Sequence, residues 1–203
     1  MPLLGCIGGI LAAGGMGAVP GFNLGVDPVR FVLDTFGHTA LNLILLTLCV
    51  SPLRLLSGNS HLLRLRRMLG VFAFCYVLLH FLTYVGPFQS FSVSMIVADI
   101  AKRPYITIGF AALLLLLPLT ITSTHRMMRR LGRRWQQLHR LIYVIAILGV
   151  WHYWWQVKKD IHEPLLYAAI LSVLLGWRVW RRWRRARAEA TSRSALPKAP
   201  ERA

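Results

Sequence analysis

Three histidines lie inside long apolar segments of this 203-residue chain and are its first candidates for chemistry: His80, His139 and His152. An imidazole is costly in an apolar membrane segment unless something binds it, so such residues are functional candidates by default. A single histidine of this kind more often hydrogen-bonds a neighbouring helix. Three of them on neighbouring segments instead predict an iron porphyrin, because imidazole is a common axial ligand of haem iron.

The positions of these histidines limit how they could share one iron atom. His139 and His152 are 13 residues apart. At about 1.5 Å of rise per residue they differ in depth by about 20 Å along one helix, so they cannot both bind one iron. His80 lies at an intermediate depth, about 17 Å from the inner face, and could pair with either. Two imidazoles fill both axial positions of the iron, which favours electron transfer over oxygen chemistry.

The elements that carry the histidines are predicted to be membrane-spanning helices. Apolar residues make up 56% of the chain and charged residues 15%, which excludes an ordinary soluble domain. A helix crosses a bilayer with about 20 predominantly apolar residues. Six runs come near that length: residues 3–19, 37–56, 69–85, 105–122, 135–155 and 164–179. The first could be a cleavable signal sequence, but no basic segment precedes it. We therefore predict an all-α bundle of six transmembrane helices.

The basic residues that give the chain its net charge of +17 are concentrated in alternate loops of this bundle. Lys and Arg concentrate after the second, fourth and sixth runs, which the positive-inside rule places in the cytoplasm together with both termini. The other loops balance basic with acidic residues and are predicted to face outward. Arginines interleaved with tryptophans at residues 177–187 are typical of an anchor to anionic lipid, with RNA binding the less favoured alternative. Residues 184–203 are predicted to form a basic, disordered cytoplasmic tail.

The chain carries no motif of a soluble catalytic site. It lacks a Gly-rich phosphate loop, a dinucleotide fingerprint and paired intramembrane carboxylates. It also lacks a CxxCH motif, so any haem would be non-covalent, and its three cysteines indicate neither a disulfide framework nor a metal site. Of the remaining histidines, His61, His125 and His162 are predicted to be solvated, and His38 lies at the outer mouth of the second run.

Several motifs of the chain closely resemble the MsrQ family, also called YedZ. They are Asp27-Pro28, RRMLG at residues 66–70 leading into His80, RPYITIG at 103–109, TST at 122–124, LGRRWQQLHRLIY at 131–143 and WHYW at 151–154. The resemblance extends from about residue 25 to residue 180, and the motif at 131–143 is highly specific. The family belongs with the ferric-reductase-like transmembrane domains.

The resemblance implies a function and a division of the chain. A first transmembrane segment and outer loop at 1–24 would precede a haem-binding transmembrane domain at 25–183. This domain would lie in the bacterial inner membrane and pass electrons from the quinone pool to a periplasmic molybdopterin-containing subunit, which reduces methionine sulfoxide in oxidised envelope proteins. The catalytic site would lie on that partner, with no catalytic residue in this chain. The haem ligands of the family map onto His80, His139 and His152, and FMN is also associated with the family.

One departure from related proteins leaves the number of haems open. NADPH oxidases and ferric reductases usually carry two histidines on each of two helices, whereas the third run here has only His80. A second haem would have to share a ligand or find another. Arg66, Arg67 and Trp135 lie at the inner rim, where a flavin phosphate or a quinone head could bind, although lipid headgroups are the favoured ligands of these residues.

Two hypotheses from different classes stay open. The favoured one is a haem b electron-transfer subunit with one or two haems, which requires His80 and at least one of the other two histidines. A self-contained ferric or quinone reductase without a periplasmic partner is a variant of it. The competing hypothesis is a haem-free scaffold or small transporter whose histidines only join helices. The lack of acidic residues within the predicted spans argues against a transporter.

Overall fold

The computed structural model describes residues 27–59, 61–157 and 161–194, and this part of the chain is helical without strands. It contains α1 (Pro28–Ser57), α2 (Leu62–Thr83), α3 (Val93–Lys102), α4 (Pro104–Ile121), α5 (His125–Leu131), α6 (Arg133–Leu138), α7 (Leu141–Gln156) and α8 (His162–Ser194). A π-helical turn, Tyr84–Phe88, continues α2. The predicted all-α class is confirmed. The predicted first span lies outside the described residues.

Four helices of the described part are long and apolar enough to cross a membrane. They are α1, α2 with its π-helical turn, α4 and α8. They correspond to the second, third, fourth and sixth predicted spans, although α4 ends at Ile121, one residue before the predicted end. Large apolar side chains on them, including Leu46, Phe72, Ile121 and Val173, are more than half or about half exposed. Such outward-facing apolar surface is typical of a multi-pass membrane protein, because it faces lipid rather than water.

The fifth predicted span, residues 135–155, is interrupted, so its prediction is wrong as a single continuous helix. The chain turns at His139 and Arg140 between α6 and α7. The Arg140 N–H donates to the Gln137 carbonyl, three residues back, at 3.1 Å, which interrupts the α-helical pattern. The polar sequence before Leu141 explains the break, because the apolar stretch starts only there. The resulting α7 has 16 residues, or about 24 Å at 1.5 Å per residue.

Helix α1 begins at Pro28, before the apolar run that predicted it. The Asp27 side chain accepts a hydrogen bond from the Arg30 N–H at 3.0 Å, and Pro28 occupies the first turn, where its missing N–H costs nothing. Gly58 ends the helix with φ +69° and donates its N–H to the Arg54 carbonyl at 3.0 Å. The early start adds residues 28–36, about two and a half turns, to α1, and Val32, Leu33 and Phe36 of this addition are buried.

The basic tail continues α8. Residues 184–194 are helical, so the prediction that disorder begins at residue 184 is wrong for them, while residues 195–203 lie outside the described part. Guanidinium groups lie over tryptophan rings four residues earlier, in the pairs Arg181–Trp177, Arg184–Trp180 and Arg187–Trp183. These cation–π contacts join neighbours on one helix face and therefore favour the helix over disorder.

The core brings two helix pairs together. Helix α1 packs on α2, α4 packs on α7, and α8 contacts α1 and α7. Leu48 of α1 and Ile145 and Ala146 of α7 are almost completely buried in this core. Arg178 of α8 donates hydrogen bonds to the Leu174 and Leu48 carbonyls, so its charge has partners within the bundle. The two pairs also touch each other, through contacts between α2 and α4 and between α1 and α7. As a result α2, which carries His80, and α7, which carries His152, line one cavity.

Candidate haem site

A cavity of about 780 Å³ lies between α1, α2, α4 and α7. Its deep part is apolar and is lined by Leu41, Ile44, Val77, Leu113, Leu116 and Ile145. Its mouth, at the N-terminal ends of α1 and α4, is polar and is lined by Arg30, Asp34, His38, Arg103, Tyr105 and Gln156. The volume falls within the range of about 300–1,000 Å³ that is typical of small-molecule sites. An apolar interior with a polar mouth suits an amphiphilic ligand.

His80 lines this cavity and is held in place by α1. Its Nδ1 lies 2.9 Å from the Leu33 carbonyl oxygen, so Nδ1 carries the proton and donates it. The ring lies against Gly37, where a Cβ atom would come within 3.1 Å of Nδ1 and Cε1 of His80. Leu33 and Gly37 are one helical turn apart, so one face of α1 supplies both the acceptor and the space. Nε2 is then the nitrogen with a free lone pair.

His152 of α7 is held by α4 in the same way. Its Nδ1 donates to the Tyr105 carbonyl oxygen at 2.7 Å. Gly109, one turn after Tyr105, leaves room for the ring, since a Cβ atom there would lie 2.9 Å from Nδ1 and Cε1 of His152. Each histidine is 47 residues from its acceptor in the sequence. The two helix pairs therefore present equivalent imidazoles to one cavity.

The spacing of these two rings fits one metal ion between them. The ring centres of His80 and His152 are 6.2 Å apart and the ring planes make an angle of 86°. A metal–imidazole bond of about 2 Å, with the ring centre about 1 Å beyond the nitrogen, separates two rings on opposite sides of one ion by about 6 Å. The carbonyl partners of Nδ1 match the outer-shell bonds that metal-ligating histidines usually make.

The donor set points to a porphyrin rather than to a bare ion. Among the described residues no group of three or more His, Cys, Asp or Glu side chains could hold a metal. Two imidazoles alone supply only two ligands, whereas a haem iron already has four porphyrin nitrogens and needs only axial ones. The residues present at this cavity therefore fit a haem held by His80 and His152.

His139 does not reach this cavity. It lies in the turn between α6 and α7, where its Nδ1 donates to the Trp135 carbonyl at 3.1 Å. Its ring stacks on the Trp135 indole with 3.9 Å between centres, and the indole N–H donates to the Thr122 carbonyl at 2.9 Å. The Nε2 atom is buried near Leu119 without a hydrogen bond of normal geometry among the described residues. Of the two predicted partners of His80, the structure brings only His152 to it.

The inner-rim candidates lie with His139, outside the cavity lining. Arg67 of α2 forms two contacts with α5. Its Nη2 lies 2.9 Å from His125 Nε2, and its Nη1 lies 3.8 Å from Met128 Sδ. Arg66, the neighbour of Arg67 in α2, lies near enough to His139 for an electrostatic interaction between the two side chains. Arg66, Arg67 and Trp135 thus share one end of the bundle, but no cavity described here joins them.

The other histidines divide as the sequence suggested. His61, His125 and His162 are exposed, although His125 also bonds Arg67. His38 lines the cavity mouth, where its Nδ1 donates to the Asp34 carbonyl at 2.7 Å and its Nε2 lies 3.8 Å from a Glu163 carboxylate oxygen.

Sequence reasoning missed the residues that position the two imidazoles. Gly37 and Gly109 have no side chain from which a role could be predicted. The acceptors at Leu33 and Tyr105 are backbone carbonyls, which do not depend on residue type. One signal was available. A single glycine interrupts an otherwise bulky apolar helix in each case, and such a glycine often marks a close approach.

Comparison with known proteins identifies the family of this chain. Residues 36–150 match the family described as ferric reductase like transmembrane component, a match that includes His80 and His139 and ends just before His152. No solved structure matches the chain.

Two relatives illustrate the similarity over most of the chain. A protein of Xanthomonas axonopodis pv. citri is 51% identical over 179 residues, which cover 88% of this chain and 82% of the relative. A protein of Azospira oryzae is 54% identical over 159 residues, which cover 77% of this chain and 68% of the relative. Both are named protein-methionine-sulfoxide reductase heme-binding subunit MsrQ. With this identity and this coverage, the chain belongs to the MsrQ family of ferric reductase like transmembrane proteins.

Proposed function

We propose that this chain is a haem b-binding subunit of the bacterial inner membrane that delivers electrons to a methionine sulfoxide reductase. The observation that carries the proposal is the pair of imidazoles, 6.2 Å apart across an apolar cavity. The names of its relatives add support, since they describe the heme-binding subunit of protein-methionine-sulfoxide reductase. The haem-binding domain would comprise residues 25–183, within six spans and with both termini in the cytoplasm.

His80 and His152 would hold the haem iron through Nε2. The Leu33 and Tyr105 carbonyls accept from Nδ1, which selects this tautomer, orients each ring and makes Nε2 a stronger ligand. When bound, haem supplies one-electron redox chemistry. With His80 and His152 both bound to the iron, no protein-free position would remain for oxygen, so these two residues would favour electron transfer over oxygen binding. The apolar lining keeps water from the site and so helps to set its potential.

The acceptor would be a periplasmic molybdopterin-containing subunit that carries the catalytic site. The positive-inside rule predicts that the end of the bundle with the cavity mouth faces the periplasm, which would let electrons leave on that side. Reduction of a methionine sulfoxide to methionine consumes two electrons and two protons and releases water. A one-electron carrier must therefore deliver two electrons to the partner for each sulfoxide repaired.

The donor would be the quinone pool, and FMN would be a further cofactor, both supported by the family resemblance. Arg66, Arg67 and Trp135 lie together at the opposite end of the bundle from the cavity mouth and would contact a flavin phosphate, a quinone head or lipid headgroups there. His139 beside them would be the ligand of any second haem.

A haem-free scaffold is the second candidate, because one observation favours it. His80 and His152 each donate to a backbone carbonyl of a neighbouring helix, as purely structural histidines in a bundle do. The two candidates differ in what they require of Nε2, which only haem binding uses.

An optical spectrum of the purified full-length protein tests the proposal. After haem supplementation, the dithionite-reduced protein should show b-type absorption bands. A folded protein that stays colourless would refute haem binding and leave the scaffold. The colour should persist through purification in detergent, because two protein ligands would hold the haem in a mainly apolar cavity.

Electron delivery needs a separate test. Reduced protein is mixed with the periplasmic reductase of a related system and methionine sulfoxide, and the loss of the reduced spectrum is followed. Rapid reoxidation only when reductase and sulfoxide are both present supports the proposed partner. Reoxidation by ferric citrate or a quinone, with none by the reductase, would indicate a self-contained reductase instead.

A further inference from the structure

Two arginines at the mouth of the cavity accompany the two histidine-holding segments. Arg30, in the first turn of α1, lies three residues before Leu33, the acceptor of His80. Arg103, just before α4, lies two residues before Tyr105, the acceptor of His152. Both arginines line the cavity, and their side chains are 66% and 51% exposed. Each helix that holds an imidazole therefore also places a cation at the mouth.

Arg103 is fixed by neighbours on its outer side. Its Nε lies 3.3 Å from an Asp99 carboxylate oxygen, and its Nη1 donates to the Tyr105 hydroxyl at 3.4 Å. Asp99 in turn accepts hydrogen bonds from Tyr84 at 3.2 Å and from the buried Gln89. The hydrogen bond to Tyr105 raises the pKa of Arg103 above its ordinary value, so this side chain is a permanent cation.

The segment that supports Asp99 is strained. Ser90 and Phe91, directly after Gln89, have φ values of +49° and +57°, a region that residues other than glycine rarely adopt. The Phe91 ring closes over Gly86 in the π-helical turn, where a Cβ atom would lie 3.0 Å from it. Strained backbone of this kind clusters at ligand sites, because folding pays for it only where a geometry must be held.

The charges at the mouth leave donors for an external anion. Asp34 also lines the cavity, 3.9 Å from Arg30, and Asp99 bonds Arg103 through Nε. A guanidinium has five N–H donors, so one internal carboxylate does not exhaust it. The deep lining is apolar, as described above, which leaves the mouth as the place for the charged edge of an amphiphilic ligand.

We propose that Arg103 and Arg30 bind the two propionate carboxylates of the haem and so orient its charged edge toward the cavity mouth. The proposal rests on the proposed function of the site. Both propionates project from the same edge of the porphyrin, which matches two cations at one mouth. Arginine binds carboxylates through paired, charge-assisted hydrogen bonds. Arg103, which is held more firmly than Arg30, should contribute more.

The test compares haem with its dimethyl ester, which keeps the iron and the ring but has no carboxylate charge. Haem-depleted full-length protein is titrated with each porphyrin, as are the variants Arg103→Gln and Arg30→Gln. Lys102→Gln is the matched control, because Lys102 is the exposed neighbour of Arg103 and does not line the cavity. The midpoint potential of each haem-loaded protein is measured alongside.

We expect the unsubstituted protein to bind haem about tenfold more tightly than the ester, as one or two charge-assisted hydrogen bonds would give. Arg103→Gln should remove most of this preference and leave ester binding unchanged. It should also lower the midpoint potential, because a cation beside the haem favours the reduced state. Arg103→Lys should restore part of both, and Lys102→Gln should alter neither.

Equal affinity of the unsubstituted protein for the two porphyrins would overturn the proposal, and so would an Arg103→Gln variant that loses haem and ester alike. The comparison of the two porphyrins on unsubstituted protein needs no variant, so it decides even if an arginine variant fails to fold. Protein that binds neither porphyrin would overturn the proposed function itself, whereas equal binding of both would overturn the propionate contacts alone.

Discussion

The histidines at the two ends of the bundle have different kinds of hydrogen-bond partner. At the cavity, the ring centres of His80 and His152 are 6.2 Å apart, and each ring is bonded to a carbonyl of a neighbouring helix. At the opposite end, His139 bonds the Trp135 carbonyl four residues back and stacks on the same residue. A bond between helices fixes the position of a ring relative to other helices, whereas a local bond fixes it only to its own turn. A histidine in an apolar segment is therefore not enough to show which imidazoles meet at one cavity.

The surroundings of the three rings differ as well. His80 and His152 each have a glycine against the ring, and a shared cavity lies between them. The ring of His139 is covered by an indole, and its Nε2 is buried against protein. Space on the Nε2 side, rather than burial itself, separates the two kinds of site.

The largest effect should come from removing the imidazole of His80 or of His152. His80→Ala or His152→Ala should abolish at least about nine-tenths of the low-spin signal of a bis-imidazole haem, because either change removes an axial ligand. Electron paramagnetic resonance of the oxidised protein measures this signal. His139→Ala is the internal control and should retain the signal. Its loss in His139→Ala, with retention in His152→Ala, would reverse the pairing that the structure indicates.

A smaller effect is expected when the space beside a ring is filled. Gly109→Ala places a Cβ atom 2.9 Å from His152, and Gly37→Ala places one 3.1 Å from His80. Both rings must shift, so haem affinity should fall about 10- to 100-fold, as for other changes around a metal ligand, with Gly109→Ala the more severe. Titration of haem-depleted protein measures the affinity.

Gly70→Ala is the matched control for the two glycine variants, since it lies on the same helix as His80 and has nothing within 4 Å of its added Cβ. It should bind haem as the unsubstituted protein does. Equal losses in all three variants would mean that alanine acts on helix packing and not through the imidazoles.

The smallest effect on the haem is expected from the other end of the bundle. Trp135→Leu removes the stack on His139 and the hydrogen bond to the Thr122 carbonyl, which should cost about 1–3 kcal/mol of stability from the two contacts together. Thermal unfolding followed by circular dichroism should show a lower midpoint, while the bis-imidazole signal stays unchanged.

Trp135→Phe keeps a ring over His139 but loses the indole N–H. It should therefore recover part of the lost stability. If Trp135→Leu removed the bis-imidazole signal as fully as His80→Ala does, the two ends of the bundle would not be independent of each other.

Much of the helical framework could be predicted from the sequence. Apolar runs of membrane-spanning length predicted four helices that the structure contains, because burial of the backbone in lipid permits little else. The break before Leu141 and the helical tail after residue 183 were not predicted. In the first case a polar turn preceded the apolar stretch, and in the second the local arginine–tryptophan contacts outweighed a composition typical of disorder.

The sequence by itself determined that the chain is helical, that it crosses a membrane and that three histidines are its candidate ligands, since composition and hydropathy depend only on residue type. Only the tertiary structure decided which histidines meet. Their meeting depends on packing between helices that are far apart along the chain, on glycines that leave room for the rings and on carbonyls that have no signature in the sequence. The 6.2 Å spacing of His80 and His152 is the result of those contacts.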